Sequence, residues 1–247
     1  MTQGELYEKL RAALKENVQK NGLAPDAVRV FSRALSPKEA IGQTARRDYP
    51  ILTGKEVMLQ ADYMGEKGQA FTDAPADFSG TLTEILQLDL VGDAHARGLF
   101  IASMNAVFKK LGLIKNTVHC KGEEPEECAR DMASFIKREY GQPKIALVGY
   151  QPALIDRLQK AFSLRVLDLN PENIGRFKYG VRVEDGQADY KEVALNWAEL
   201  VLCTGSTLCN GTIVNFIDTG KQVLFFGTTV AAAAQVLGLK RLCFCAA

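Results

Sequence analysis

The chain has 247 residues, 47% hydrophobic and 24% charged, with 30 Lys and Arg against 29 Asp and Glu and a net charge of +1. That length can bury a substantial core and suffices for two domains. The balanced charge argues against nucleic acid or a membrane surface as partner, and no apolar run approaches the roughly 20 residues of a spanning helix.

Leu6, Leu10, Leu14 and Val18 form one stripe of an amphipathic N-terminal helix that ends near Gly22. The segment lacks the basic start and unbroken apolar stretch of a secretory signal, so the expected location is cytoplasmic, with reduced thiols. VRVFSRAL (28–35) reads as a strand, and Ser36-Pro37-Lys38-Glu39 spells a capping box opening a short helix closed by Gly42. EVMLQADYM and QAF flank Gly65-Glu66-Lys67-Gly68, the pattern of a hairpin with a glycine-bearing turn. A short helix opens at Thr81-Leu82-Thr83-Glu84, and a longer one runs from about Asp93 to Leu111.

HCKGEEPEEC (119–128) holds a histidine, two cysteines and four glutamates. Proline fits a first helical turn and the glutamates offset the positive end of the helix dipole, so the stretch is mainly a helix start. Cys128, Met132, Phe135 and Ile136 then form its buried stripe, which ends at Tyr140-Gly141. The chain has no C-x-x-C pair and no standard zinc spacing. Cys203, Cys243 and Cys245 read as core, the last two on one face of a terminal strand, LCFC.

From Lys144 the texture changes. KIALVG, LRVLDL, ELVLCTG and KQVLFFG are short, nearly continuous apolar runs, each followed by a turn and usually a helical segment. Strands buried on both faces of a parallel sheet have this composition, and their alternation with helices predicts a doubly wound α/β domain. The expected organisation is an N-terminal α+β domain over residues 1–120 and a Rossmann-like domain over 121–247, with the boundary near 115–125.

Ligands of such sheets sit beyond the carboxyl ends of the strands, near the switch point in strand order. The residues at those ends are Gly149, Tyr150 and Gln151; Asp168 and Asn170; Thr204, Gly205, Ser206 and Thr207, followed by Asn210 and Thr212; and Gly227, Thr228 and Thr229. Hydroxyls, exposed amides at Gly149 and Gly205, and helix N-termini there suit an anion or polar small molecule. Turn-making and helix capping explain any one of these residues better than a ligand does, and only their convergence on one edge favours a site. Asp168 after Gly149 has the spacing of a ribose-binding acid, but GYQPAL offers one glycine where a dinucleotide loop wants three. NAD or S-adenosylmethionine is therefore the alternative reading.

In the apolar helix GLFIASMNAVF (98–108), Asn105 needs polar partners, either a neighbouring loop or a ligand. Gly98 implies a close approach on nearly the same face, and Arg97 could clamp a carboxylate or phosphate.

With these residues in view, the chain resembles the family labelled "putative heavy-metal chelation domain", formerly a domain of unknown function. The resemblance rests on KIALVGYQPALIDRL, LDLNPE, ADYKEVALNWAELVLCTGSTLCNGT, VLFFGTTVAAAAQVLGL and the segment around IASMNAV. It implies an N-terminal domain like that of enolase before a Rossmann-like domain, with a site in the cleft between them. It also implies chelation of a transition or heavy metal ion. His119, Cys120 and Cys209 are the candidate soft ligands, and Asp168 a candidate for a hydroxyl or cation.

The expectation is a protein that binds a metal, or a metal-bearing or anionic small molecule, between its domains. A catalysed reaction and a homo-oligomer are left open, and a non-catalytic interaction module is the remaining rival.

Overall fold

The computed structural model describes residues 1–23, 29–53 and 56–247. Helix α1 (Gln3–Lys20) buries Leu6, Tyr7, Leu10, Leu14 and Val18, and Thr2 and Glu5 close a capping box at its start. Strand β1 (Arg29–Ala34) follows, and Val28, assigned to this strand from the sequence, lies outside the described residues. Helix α2 (Pro37–Ile41) has the expected Ser36/Glu39 capping box and ends at Gly42.

β2 (Val57–Tyr63) and β3 (Glu66–Thr72) form the expected hairpin, but Met64 and Gly65 make its turn, with φ of 48° and 84°. Two successive left-handed residues match the right-handed twist of the strands. Gly68 lies inside β3 instead. A β-carbon there would stand 2.2 Å from the Ala106 nitrogen and 2.3 Å from the Ala102 oxygen. This glycine lets the long helix α4 (Ala94–Lys110) pack against the sheet. Gly98 similarly faces the Thr72 side chain, 3.3 Å from where its β-carbon would be, so protein fills the approach that the sequence left open between protein and ligand. With β4 (Phe78–Thr81), which precedes the short helix α3 (Leu82–Leu86), the strands form an antiparallel sheet in the order β3-β2-β1-β4.

The second sheet contains β5 (Ile145–Val148), β6 (Leu164–Asp168), β7 (Phe177–Lys178), β8 (Val181–Asp185), β9 (Leu200–Thr204), β10 (Gln222–Phe226) and β11 (Arg241–Leu242). Its order is β11-β10-β9-β5-β6-β8-β7, and every pair is parallel except β7 with β8. Without the β7 edge this is the doubly wound order of dinucleotide folds, with the switch point between β5 and β9. Helix α5 (Glu124–Tyr140) precedes β5, α6 (Pro152–Leu158) links β5 to β6, and α7 (Ala231–Leu237) links β10 to β11. The fold is mixed α/β, with a smaller antiparallel sheet beside a parallel-rich one. The terminal strand is shorter than LCFC suggested: it stops at Leu242, and both Cys243 and Cys245 are half-buried beyond it.

One apolar cluster runs through both sheets, joining Leu6, Leu59 and Phe100 to Val201, Cys203 and Phe225. The hydroxyl of Thr229 accepts a hydrogen bond from the Phe71 amide at 2.9 Å, which fixes the end of β10 against β3.

Candidate functional site

A cavity of ≈ 180 Å³ lies where the antiparallel sheet meets the carboxyl ends of the parallel strands. Among the sequence-selected residues, Gly149, Tyr150, Gln151, Asp168, Thr204, Gly205, Ser206, Thr207, Asn210, Thr212, Gly227, Thr228, Thr229, His119 and Cys120 line it. Asn170, Arg97, Asn105 and Cys209 do not.

The four outliers have structural work. Arg97 donates to the backbone oxygens of Cys209 at 2.7 Å, Leu90 at 3.4 Å and Val91 at 3.1 Å, so it clamps carbonyls. Asn105 is fully buried; its amide donates to Gln69, Thr228 and Thr229 oxygens at 3.0, 3.2 and 3.1 Å and accepts from the Ala232 nitrogen at 2.9 Å. It ties the Thr228-Thr229 turn to α4. The Asn170 side chain caps the Glu172 nitrogen at 3.0 Å. Cys209 sits in the apolar cluster near Arg97, and burial pushes its thiol up to about 12.

Several of the donors expected to hold an anion are already engaged. The Gly149 amide donates to Leu167 at 2.8 Å within the sheet, and the Tyr150 amide to Asp168 at 2.7 Å. Gln151 accepts from the Leu154 nitrogen at 2.6 Å and so caps α6 from within. Thr204 accepts from the Ser206 amide, and Asn210 accepts from both the amide and hydroxyl of Thr212. Gly149 has φ of 95°, and a β-carbon there would stand 2.5 Å from the Thr204 methyl, so the turn after β5 packs directly on the turn after β9. An anion at this switch point would meet self-capped turns.

The charges present are negative. Glu56, which the sequence reading missed, lines the cavity with Asp168. Burial, and then the charges of Asp168 and Asp73, raise the Glu56 carboxyl to about 7. Burial also raises Asp168, against the backbone amides of Asn170 and Tyr150 that hold it down. Among the described residues, no Lys or Arg lines the cavity. Nearby Arg46 is committed to Glu126 at 2.5 Å, Asp156 at 3.1 Å and the Tyr179 hydroxyl. The hydroxyls of Tyr150 and Tyr179 both donate to Asp48 at 2.8 Å. This network holds the segment that carries the cavity residues Tyr49–Ile51 against α5, α6 and the β7–β8 turn.

At the other wall, Cys120 is joined not by Cys209 but by Cys128 and Cys243, which also line the cavity. Cys128 lies half-buried at the edge of the α5 stripe, whose buried members are Pro125, Ala129, Met132 and Ile136. His119 has its Nδ1 2.6 Å from the Cys120 oxygen, which places the proton on Nδ1 and leaves Nε2 with its lone pair; burial lowers its pKa. Among the described residues no three His, Cys, Asp or Glu side chains are grouped so as to hold a metal ion. No described helix is long and apolar enough to cross a membrane.

Two solved structures share the fold. One is a protein of unknown function from the DUF364 family of Pyrococcus horikoshii, 15% identical, covering 91% of this chain and 79% of that one with a TM-score of 0.54. The other is a protein of unknown function from the same family of Desulfitobacterium hafniense DCB-2, also 15% identical, covering 93% and 80% with a TM-score of 0.52. No curated protein matches the chain. Residues 131–240 match the DUF364 family model, described as "Putative heavy-metal chelation".

Proposed function

We propose that the cavity binds a positively charged or metal-bearing small molecule, with its charge toward Glu56 and Asp168. The observation that carries this reading is the pairing of two half-buried carboxylates with a lining that has no Lys or Arg among the described residues. Two carboxylates in one poorly hydrated space repel each other, and a cation relieves both the repulsion and the desolvation cost. The hydroxyls of Thr204, Ser206, Thr207, Thr212 and Thr228 supply the neutral polar contacts that orient such a ligand. The family's description favours a metal as the source of the positive charge. The self-capped turns weigh against the anionic ligand expected from strand-end composition. They weigh also against a dinucleotide, since Asp168 closes the turn after β5 with the acceptors that a ribose would use.

Hexamminecobalt(III) tests this reading because it carries charge without exchanging its ligands, so thiols cannot capture it. In thermal melts at pH 8 it stabilises the wild-type protein and has little effect on Glu56→Gln. Absence of stabilisation in the wild type, equal stabilisation of the variant, or stronger stabilisation by inorganic pyrophosphate would each refute the assignment.

A further inference from the structure

Three of the six cysteines, Cys120, Cys128 and Cys243, line one wall of the cavity, and Cys245 follows two residues after Cys243, although they come from two distant parts of the chain. Cys120 and Cys128 flank the start of α5, whereas Cys243 and Cys245 follow β11. Val118 and Ala247 exchange backbone hydrogen bonds at 2.8 and 3.0 Å, laying the C-terminal segment beside the approach to Cys120. Asn116 donates to the Cys243 oxygen at 3.3 Å, and Phe244 packs on Phe135 of α5 with ring centroids 6.0 Å apart. Cys120 lies within electrostatic reach of Cys128, Cys243 and Cys245, and both C-terminal thiols feel Cys128. All four residues are free thiols and all four lie outside the family-matched segment 131–240.

Reduced thiols gathered on a cavity wall can serve as nucleophiles, a disulfide or metal ligands. A tetrahedral zinc cage needs four donors around one point, and no group of even three exists among the described residues. A thiophilic ion with linear coordination needs only two sulfurs. Soft sulfur ligands select such ions over the hard cations that carboxylates prefer.

We propose that Cys128 and Cys120 capture a two-coordinate soft ion, copper(I) or mercury(II), with Cys243 and Cys245 as adjacent thiols onto which it can exchange. Two S–H bonds break, two metal–sulfur bonds form, both protons go to solvent, and no electron is transferred. The proposal rests on the cavity being a cation site and names the class of metal it takes.

The test uses the full chain, reduced and anaerobic, with copper(I) supplied from a bathocuproine disulfonate complex. The wild type takes about one copper(I) per chain, and Cys128→Ser loses affinity by a factor of about 100 or more. Cys128 is half-buried, so its variant is expected to fold; Cys120→Ser repeats the test, with a thermal melt of each variant. Mercury(II) adds a second readout, a sulfur-to-metal charge-transfer absorption present in the wild type and absent from Cys128→Ser. Glu56→Gln retains copper(I) affinity while losing its response to hexamminecobalt(III), which separates the thiol site from the acid end. A wild type that fails to compete for copper(I), a Cys128→Ser variant of undiminished affinity, or loss of copper(I) in Glu56→Gln would overturn the proposal.

Discussion

Asn105→Leu lowers stability by about 4 kcal/mol, because the near-isosteric side chain removes two N–H donors shared among three carbonyls and one accepted bond from a fully buried site. In a chain of this size that corresponds to a fall in Tm of about 10 °C. The Ala232 amide would be left without its side-chain acceptor, and the Thr228 and Thr229 carbonyls would lose their tie to α4. Both threonines line the cavity, so the variant should also lose its thermal response to hexamminecobalt(III). Chemical denaturation of both proteins measures the loss. A change below about 1 kcal/mol would show that the buried amide is not the bracket between α4 and the strand-end turn.

Glu56→Gln acts in the opposite direction, and only above acidic pH. The folded protein holds the Glu56 carboxyl at about 7, against an ordinary value of 4.5. Between these values the unfolded chain releases the proton while the folded chain keeps it, so wild-type stability falls as pH rises. At about 1.36 kcal/mol per pH unit, the full penalty reaches about 3 kcal/mol once the folded group ionises. Glutamine carries no such penalty. The variant should therefore match the wild type near pH 4.5 and exceed it by several degrees in Tm at pH 8. Melts at both values, without added cations, measure the contrast. Equal curves at pH 8 would mean that water or a counter-ion already relieves the buried charge, and the electrostatic argument for a cationic ligand would lose its main support.

Local patterns carried much of the fold. The capping boxes at Ser36 and Thr81, the long helix behind Asp93 and four apolar strands were legible because each is written within a few consecutive residues. The β7–β8 hairpin was missed, although its turn carries a local signal: Tyr179 and Gly180 have φ of 52° and 81° between two short strands. The strand ends line the cavity, as an open α/β sheet dictates, but the engagement of their polar groups was not legible. Whether an exposed-looking amide is free depends on side chains such as Gln151 and Asp168 turning back on their own loops, which composition does not reveal. Glu56 had no local signal at all. It precedes β2 of the antiparallel sheet, and only the packing of one sheet against the other brings it to Asp168. The thiol wall is equally non-local, since Cys120 meets Cys243 through backbone pairing between Val118 and the last residue of the chain. Cys209, the thiol singled out within TGSTLCNGT, points into the core instead.

Calorimetric titration at pH 8 of the wild-type protein with hexamminecobalt(III), and separately with inorganic pyrophosphate, tests the central claim about the charge of the cargo most directly. The account predicts saturable binding of the cation, weakened by added salt, and no heat of binding from pyrophosphate. Binding of pyrophosphate with a silent cation would contradict it and return the cavity to the anionic ligand that its strand-end residues first suggested.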